Sequence, residues 1–108
     1  MYNFAWRTPV FDGRLGAPHA IDVPFTFDTI DLTNATDGSD SAHRLAAAMA
    51  ETWTAFARTG RPSHASLPDW PAYDAERRAV MVLDAHCHVE DDLGGEVRRM
   101  WEEITEPE

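Results

Sequence analysis

Between Ala42 and Thr59 the chain carries a pattern that fits only one kind of element. Leu45, Met49, Trp53, Phe56 and Ala57 recur at i, i+4, i+8, i+11 and i+12, which places them along one face of a helix with 3.6 residues per turn. Asp40 or Ser41 is positioned to cap its start. Its end is marked twice, by Gly60 where a left-handed residue is wanted and by Pro62 just beyond, while Arg58 complements the negative end of the dipole. A Trp and Met stripe at this spacing reads as a core-facing surface rather than a cofactor box. The rest of the chain must therefore supply something for it to pack on.

That something is a set of short strands and loops. Tyr2, Phe4 and Trp6 alternate with small or polar residues at the period of a strand, which Pro9 closes. Asp12 to Asp28 is rich in glycine and proline and reads as an ordered loop leading into the strand-like apolar cluster Val23, Phe25 and Phe27. Thr33 to Ser41 has no periodicity and reads as a flexible connection; Asn34-Ala35-Thr36 inside it matches a glycosylation sequon, but the connecting-loop reading is preferred. Ser63 to Asp74, with Pro68 and Pro71 flanking Trp70, reads as a loop covering apolar surface with one buried aromatic. Ala79 to Leu83 and His86 to Val89 suggest two short strands or a hairpin. A last helix follows, capped by Asp91 or Asp92, with Leu93, Val97, Met100, Trp101 and Ile104 as its stripe and Gly94 and Gly95 weakening its first turn.

A chain of 108 residues supports one modest core, so a single unit is expected. Its 44% hydrophobic and 26% charged composition is that of an ordinary globular protein. Nine Lys and Arg stand against nineteen Asp and Glu, and a surface of that sign repels phosphate backbones and anionic lipid, so neither nucleic acid nor a membrane is an expected partner. One cysteine, Cys87, excludes an internal disulfide and any CxxC motif; a buried, inert thiol is the default. No apolar run reaches the length of a membrane span and no targeting signal precedes the first strand. A cytoplasmic location is the expectation, with secretion open if sequence upstream is missing.

Two groups of residues invite a chemical reading. His86 and His88 lie at i and i+2 with Asp84 and Glu90 nearby, half of a conceivable metal site; without a further ligand at fixed spacing they read as surface residues at a strand end, and no metal is expected. His19 lies in the loop Leu15 to Phe25, where a rigid scaffold concentrates catalytic groups. An imidazole takes and returns a proton near neutral pH, which suits acyl transfer. On residue type alone, a histidine satisfied by backbone hydrogen bonds is the better reading.

The segment Gly16-Ala17-Pro18-His19-Ala20-Ile21-Asp22-Val23-Pro24-Phe25-Thr26-Phe27 resembles the G-A-x-H-x-x-E-x-P-[FY]-x-F sequence around the catalytic histidine of type B carboxylesterases, the family that includes the cholinesterases. Tyr2 to Trp6 resembles the strand before that loop. Leu45-Ala46, Met49, Trp53, Phe56-Ala57, Gly60 and Pro62 resemble the family's L-A-x-x-M-x-x-x-W-x-x-F-A-x-x-G-x-P helix. Trp70-Pro71-Ala72-Tyr73 with Arg78 and Met81 is similar to its W-P-x-Y-x-x-x-x-R-x-x-M segment, and Arg99 with Trp101 suits its final helix. The motifs run in the family's order from Tyr2 to Trp101. Asp22 departs from the usual Glu by one methylene.

What the resemblance implies is an α/β fold: the C-terminal portion of an α/β-hydrolase, a few strands with one long amphipathic helix and a C-terminal helix, spanning residues 1–108. It implies a serine ester hydrolase in which His19 is the catalytic histidine and no cofactor takes part. In such enzymes the nucleophile sits in a G-x-S-x-G elbow ahead of the histidine. Here Ser39, Ser41, Ser63 and Ser66 all follow His19, and none has glycine two residues to either side. The chain alone is therefore expected to be inactive, with a small carboxylic ester as substrate of the complete enzyme. Its expected partner is a missing N-terminal esterase portion or a second copy. The alternative is a non-catalytic protein-interaction module derived from an esterase.

Overall fold

A computed structural model describes residues 1–105 of the chain. Strand β1 is Tyr2–Phe4, helix α1 Asp22–Thr26, helix α2 Asp40–Thr59, strands β2 and β3 Ala79–Leu83 and His88–Asp91, and helix α3 Gly95–Thr105, with a turn at Val10–Gly13 in which Phe11 and Asp12 take positive φ and a 3-10 turn at Ile30–Leu32. The strands form one sheet in the order β1-β2-β3.

β2 occupies the centre because it is apolar at every position. Ala79, Val80, Met81, Val82 and Leu83 are all buried, as a strand covered on both faces must be. It pairs in parallel with β1, matching Tyr2 to Met81 and Phe4 to Leu83, and antiparallel with β3, matching Ala79 to Asp91 and Val82 to His88. The expected hairpin forms. The parallel pair is joined by a long crossover that contains α1 and α2, the connection such strands require.

The core lies between the sheet and α2, where Leu45, Ala46 and Met49 meet Trp6, Ile21, Phe25, Ile30, Met81 and Leu83. α2 starts two residues before Ala42, and its cap is Ser39 rather than Asp40 or Ser41: the Ser39 hydroxyl accepts from the Ala42 amide at 3.3 Å. It stops as expected at Gly60, which takes φ 74° and donates its N–H to the Phe56 carbonyl at 2.8 Å.

Two expectations need correction. Val23, Phe25 and Phe27 are not strand-like, because Asp22–Thr26 is a turn and a half of helix. Pro24 sits in its first turn, where the missing N–H leaves no bond unmade, and of the three apolar side chains only Phe25 is buried. The α2 stripe is core only as far as Met49: Trp53 is half-buried, and Phe56 and Ala57 are exposed. The α3 stripe is exposed throughout, from Leu93 through Val97, Met100 and Trp101 to Ile104, and the helix buries nothing but Gly95.

Polar contacts hold α3 in place. The Asp92 carboxylate receives Arg98 at 3.1 Å and Arg99 at 3.2 Å, with Arg78 at 3.9 Å. Those guanidiniums, Arg98 first through its hydrogen bond, hold Asp92 below the usual carboxylate range. The same bond, reinforced by Glu102 at 2.7 Å one turn on, raises the pKa of Arg98.

Candidate active site

His19 lies in the loop between β1 and α1, and both ends of that loop are fixed by one ring. Phe25 is completely buried, and its ring centre lies 5.0 Å from those of Phe4 and Trp6. The neck of the loop closes where the Thr8 amide donates to the Gly16 carbonyl at 2.9 Å. The buried Thr8 hydroxyl donates to the Ala35 carbonyl at 2.6 Å, tying the loop to the segment ahead of α2. Gly16 takes φ 62°, and the Arg7 guanidinium lies 3.7 Å from where a Cβ there would stand.

Beyond this neck the chain makes a tight turn around His19. The Ile21 amide donates to the Pro18 carbonyl at 3.3 Å, and Ala20 adopts φ 66°, a left-handed conformation that costs a non-glycine residue about 1 kcal/mol or more. Ile21 is buried directly afterwards, so the turn is anchored on its far side too. His19 itself is exposed. Asp22 occupies the first turn of α1.

Of the five histidines, three pair with carboxylates: His43 with Asp31 at 3.1 Å, His64 with Glu51 at 3.1 Å and His88 with Glu90 at 3.6 Å. His19 has no such partner among the described residues. Three of the four serines are engaged elsewhere. Ser39 caps α2, Ser63 accepts from the Trp70 amide at 3.3 Å, and Ser66 donates to Glu51 at 3.1 Å.

His86 and His88 do not form a matched pair on one strand. His86 lies in the bend before β3, and its carbonyl meets Nδ1 of His88 at 3.2 Å. Among the described residues no three His, Cys, Asp or Glu side chains gather as a metal site would require. Cys87 between them is half-buried against the core, with its thiol 3.3 Å from the Asp84 carbonyl; burial pushes that thiol up.

Two features escaped the sequence reading. One is His64, almost enclosed between Thr52 and Glu51. The other is a cleft of about 640 Å³ walled by Tyr2, Trp53, Phe56, Trp70 and Tyr73. The motif spacing named all five of these aromatics but gave no sign that they line a surface together.

A sheet with parallel pairing, a crossover through helices, and a histidine on the loop after a strand define a piece of an α/β enzyme fold. The Carboxylesterase family profile matches residues 1–101. The chain belongs to the carboxylesterase family. It is 39% identical over 103 residues to phenmedipham hydrolase of Pseudarthrobacter oxydans, covering 91% of this chain and 20% of that protein. It is 32% identical over 104 residues to para-nitrobenzyl esterase of Bacillus subtilis (strain 168), covering 92% and 20%. An esterase structure from Clostridium hathewayi superposes with a TM-score of 0.84 at 27% identity, over 94% of this chain and 20% of that one. The α/β-hydrolase expectation holds, and the chain spans about a fifth of the length of these relatives.

Proposed function

We propose that residues 1–108 are the C-terminal portion of a carboxylesterase α/β-hydrolase domain and that His19 is the histidine of its serine ester hydrolase site. In the assembled enzyme His19 accepts the proton of a serine hydroxyl as the oxygen attacks an ester carbonyl. It then returns that proton to the departing alcohol. Water repeats the two transfers and frees the acid. The serine, the carboxylate that orients the ring and the amides that stabilise the oxyanion come from outside these residues. The substrate is a small carboxylic ester.

The observation that supports this reading is the exposed ring of His19 on a turn anchored on both sides, by Phe25 against Phe4 and Trp6 and by buried Ile21. A general base must be held still yet open to its substrate. The test is a hybrid in which this chain replaces the matching fifth of an active relative. It should hydrolyse p-nitrophenyl esters, and His19→Ala in the hybrid should lower kcat/KM by about 10²–10⁴. Full activity in the variant rejects the assignment. The chain by itself should release no burst of p-nitrophenol; a burst abolished by a serine-directed phosphonate overturns that part.

A second reading, a protein-interaction module without catalysis, is favoured by the exposed stripe of α3. An upstream in-frame G-x-S-x-G sequence argues for the enzyme; an unrelated or absent upstream frame argues for the module.

A further inference from the structure

We infer that Thr8 is a positioning residue for His19: its buried hydroxyl fixes the loop that carries the imidazole against the segment leading into α2. The inference rests on the esterase reading above and adds to it a residue that sets the aim of the general base without touching substrate.

Thr8 is a polar side chain only 1% exposed, so it has no open face for substrate, and its hydroxyl is used twice. It donates to the Ala35 carbonyl at 2.6 Å, 27 residues along the chain, and accepts from the Val10 amide at 3.3 Å. The Thr8 amide meanwhile donates to the Gly16 carbonyl at 2.9 Å. One residue thus closes the neck of the histidine loop and pins it to a segment distant in sequence. From Gly16 the position is passed to His19 through two stiff residues: Pro18 has its φ fixed by the ring, and Ala17 before it is held out of the helical region. On the far side the Ile21 amide bonds the Pro18 carbonyl, and Ile21 is buried. Few soft torsions remain, so a shift at the neck moves the ring.

The acceptor end of the Thr8 bond is itself well fixed. The Thr33 hydroxyl accepts from the Ala35 amide at 3.1 Å, the Thr36 hydroxyl from the Gly38 amide at 3.3 Å, and the Asp37 carboxylate from the Ser39 amide at 3.1 Å. Ser39 in turn caps α2. What reads in the sequence as a flexible connection is a run of turns closed by side chains, and through it Thr8 refers the histidine loop to the longest helix of the chain. Deleting the hydroxyl leaves the Ala35 carbonyl and the Val10 amide without their partner and frees the neck from α2. A catalytic group displaced by about 1 Å can lose about 100-fold in rate, even when the change lies away from the chemistry.

The experiment uses the hybrid in which this chain replaces the matching fifth of an active relative. Hydrolysis of a p-nitrophenyl ester is expressed per active site titrated with a serine-directed phosphonate, so that misfolded molecules do not enter kcat. Thr8→Val should lower kcat by about 10–100-fold with KM unchanged, the mark of stabilisation lost in the transition state alone. Thr8→Ser, which keeps the hydroxyl, should recover most of the loss. Thr52→Val deletes a buried hydroxyl that holds the segment after α2 and should leave kcat as it is. A wild-type kcat in Thr8→Val, an equal loss in Thr52→Val, no recovery in Thr8→Ser, or a rise in KM alone overturns the inference. If Thr8→Val yields no titratable sites, Thr8→Ala is read in its place; no sites in either makes Thr8 a residue of folding only and overturns the inference as well. His19→Ala is measured alongside. Turnover that survives it rejects the esterase reading whatever Thr8 does, whereas turnover that needs His19 but not the Thr8 hydroxyl rejects this inference alone.

Discussion

The hydroxyl of Thr52 lies 2.7 Å from Nε2 of His64. Thr52 also donates its one proton to the Ala48 carbonyl at 2.9 Å, so the ring must donate to the hydroxyl. On the other side of the ring, Nδ1 lies 3.1 Å from the Glu51 carboxylate and 3.3 Å from the Ser66 amide nitrogen. The proline-rich segment after α2 is thus tied to the helix through an enclosed side chain, only 7% exposed.

Removing the hydroxyl should strand the ring donor. Thr52→Val is expected to lower stability by about 1–3 kcal/mol, the consequence of an unpaired buried polar group. Thr52→Ser should recover most of the loss. Urea midpoints at constant slope measure both, and equal midpoints for wild type and Thr52→Val would contradict the role.

Phe25→Ala should be the most damaging single truncation near His19, by about 3–5 kcal/mol for a fully buried ring. Because Phe25 holds both Phe4 and Trp6, the turn around His19 should loosen with it. The His19 ring protons should sharpen toward random-coil NMR shifts in the variant; an unchanged spectrum would show that the turn stands without its anchor.

Gly95→Ala should dislodge α3, since a Cβ there collides with the Asp92 carboxylate that receives Arg98 and Arg99. Gly94→Ala has open space and suffers only from its φ of 71°, a strain of about 1 kcal/mol. Amide exchange across Gly95–Thr105 should accelerate far more in the first variant than in the second. Equal effects would remove steric conflict as the cause.

The attachment of α3 should fail in acid. Asp92 titrates below its ordinary value near ~3.9, so its ionised form is favoured by the folded state. That contribution is fully present above the ordinary value and disappears as pH falls through the lower folded one. Protection of α3 amides should therefore hold at pH 5 and drop below about pH 4, and added salt should weaken it at any pH. In Asp92→Asn the acid step should vanish. Retention of the step would assign it to another carboxylate.

Cys87 should alkylate slowly at neutral pH, because burial disfavours its thiolate. Iodoacetamide at pH 7.5 should react several-fold faster in urea than in buffer. Identical rates would mean that the thiol is open.

Local rules account for what was legible. Gly60 and Pro62 ended α2 where they had to, the unbroken apolar run Ala79–Leu83 marked a strand covered on both faces, and the turn residues around His19 stood out as a motif. Periodicity located the apolar faces of Phe56 and of Val97 to Ile104 but carries no information on whether anything lies opposite, so the α2 stripe was read as core along its whole length. The alternation of Val23, Phe25 and Phe27 imitated a strand because three residues are too few to separate the two periods. Ser39 capped α2 in place of Asp40 or Ser41 because the helix begins two residues earlier than the apolar periodicity indicates. His64 was passed over because its partners Thr52 and Glu51 are brought to it only by the turn of the chain after α2. For His19 the limit was different: the motif singles out the ring, and the groups proposed to work with it are not among the described residues.

The final helix contributes no apolar side chain to the interior, and its anchor is a single carboxylate shared by three arginines. It is therefore a detachable appendage. A polypeptide shortened after Leu93 should keep its melting temperature close to that of the parent, and the sequence of that terminal segment is free to diverge with little penalty to the body that carries His19.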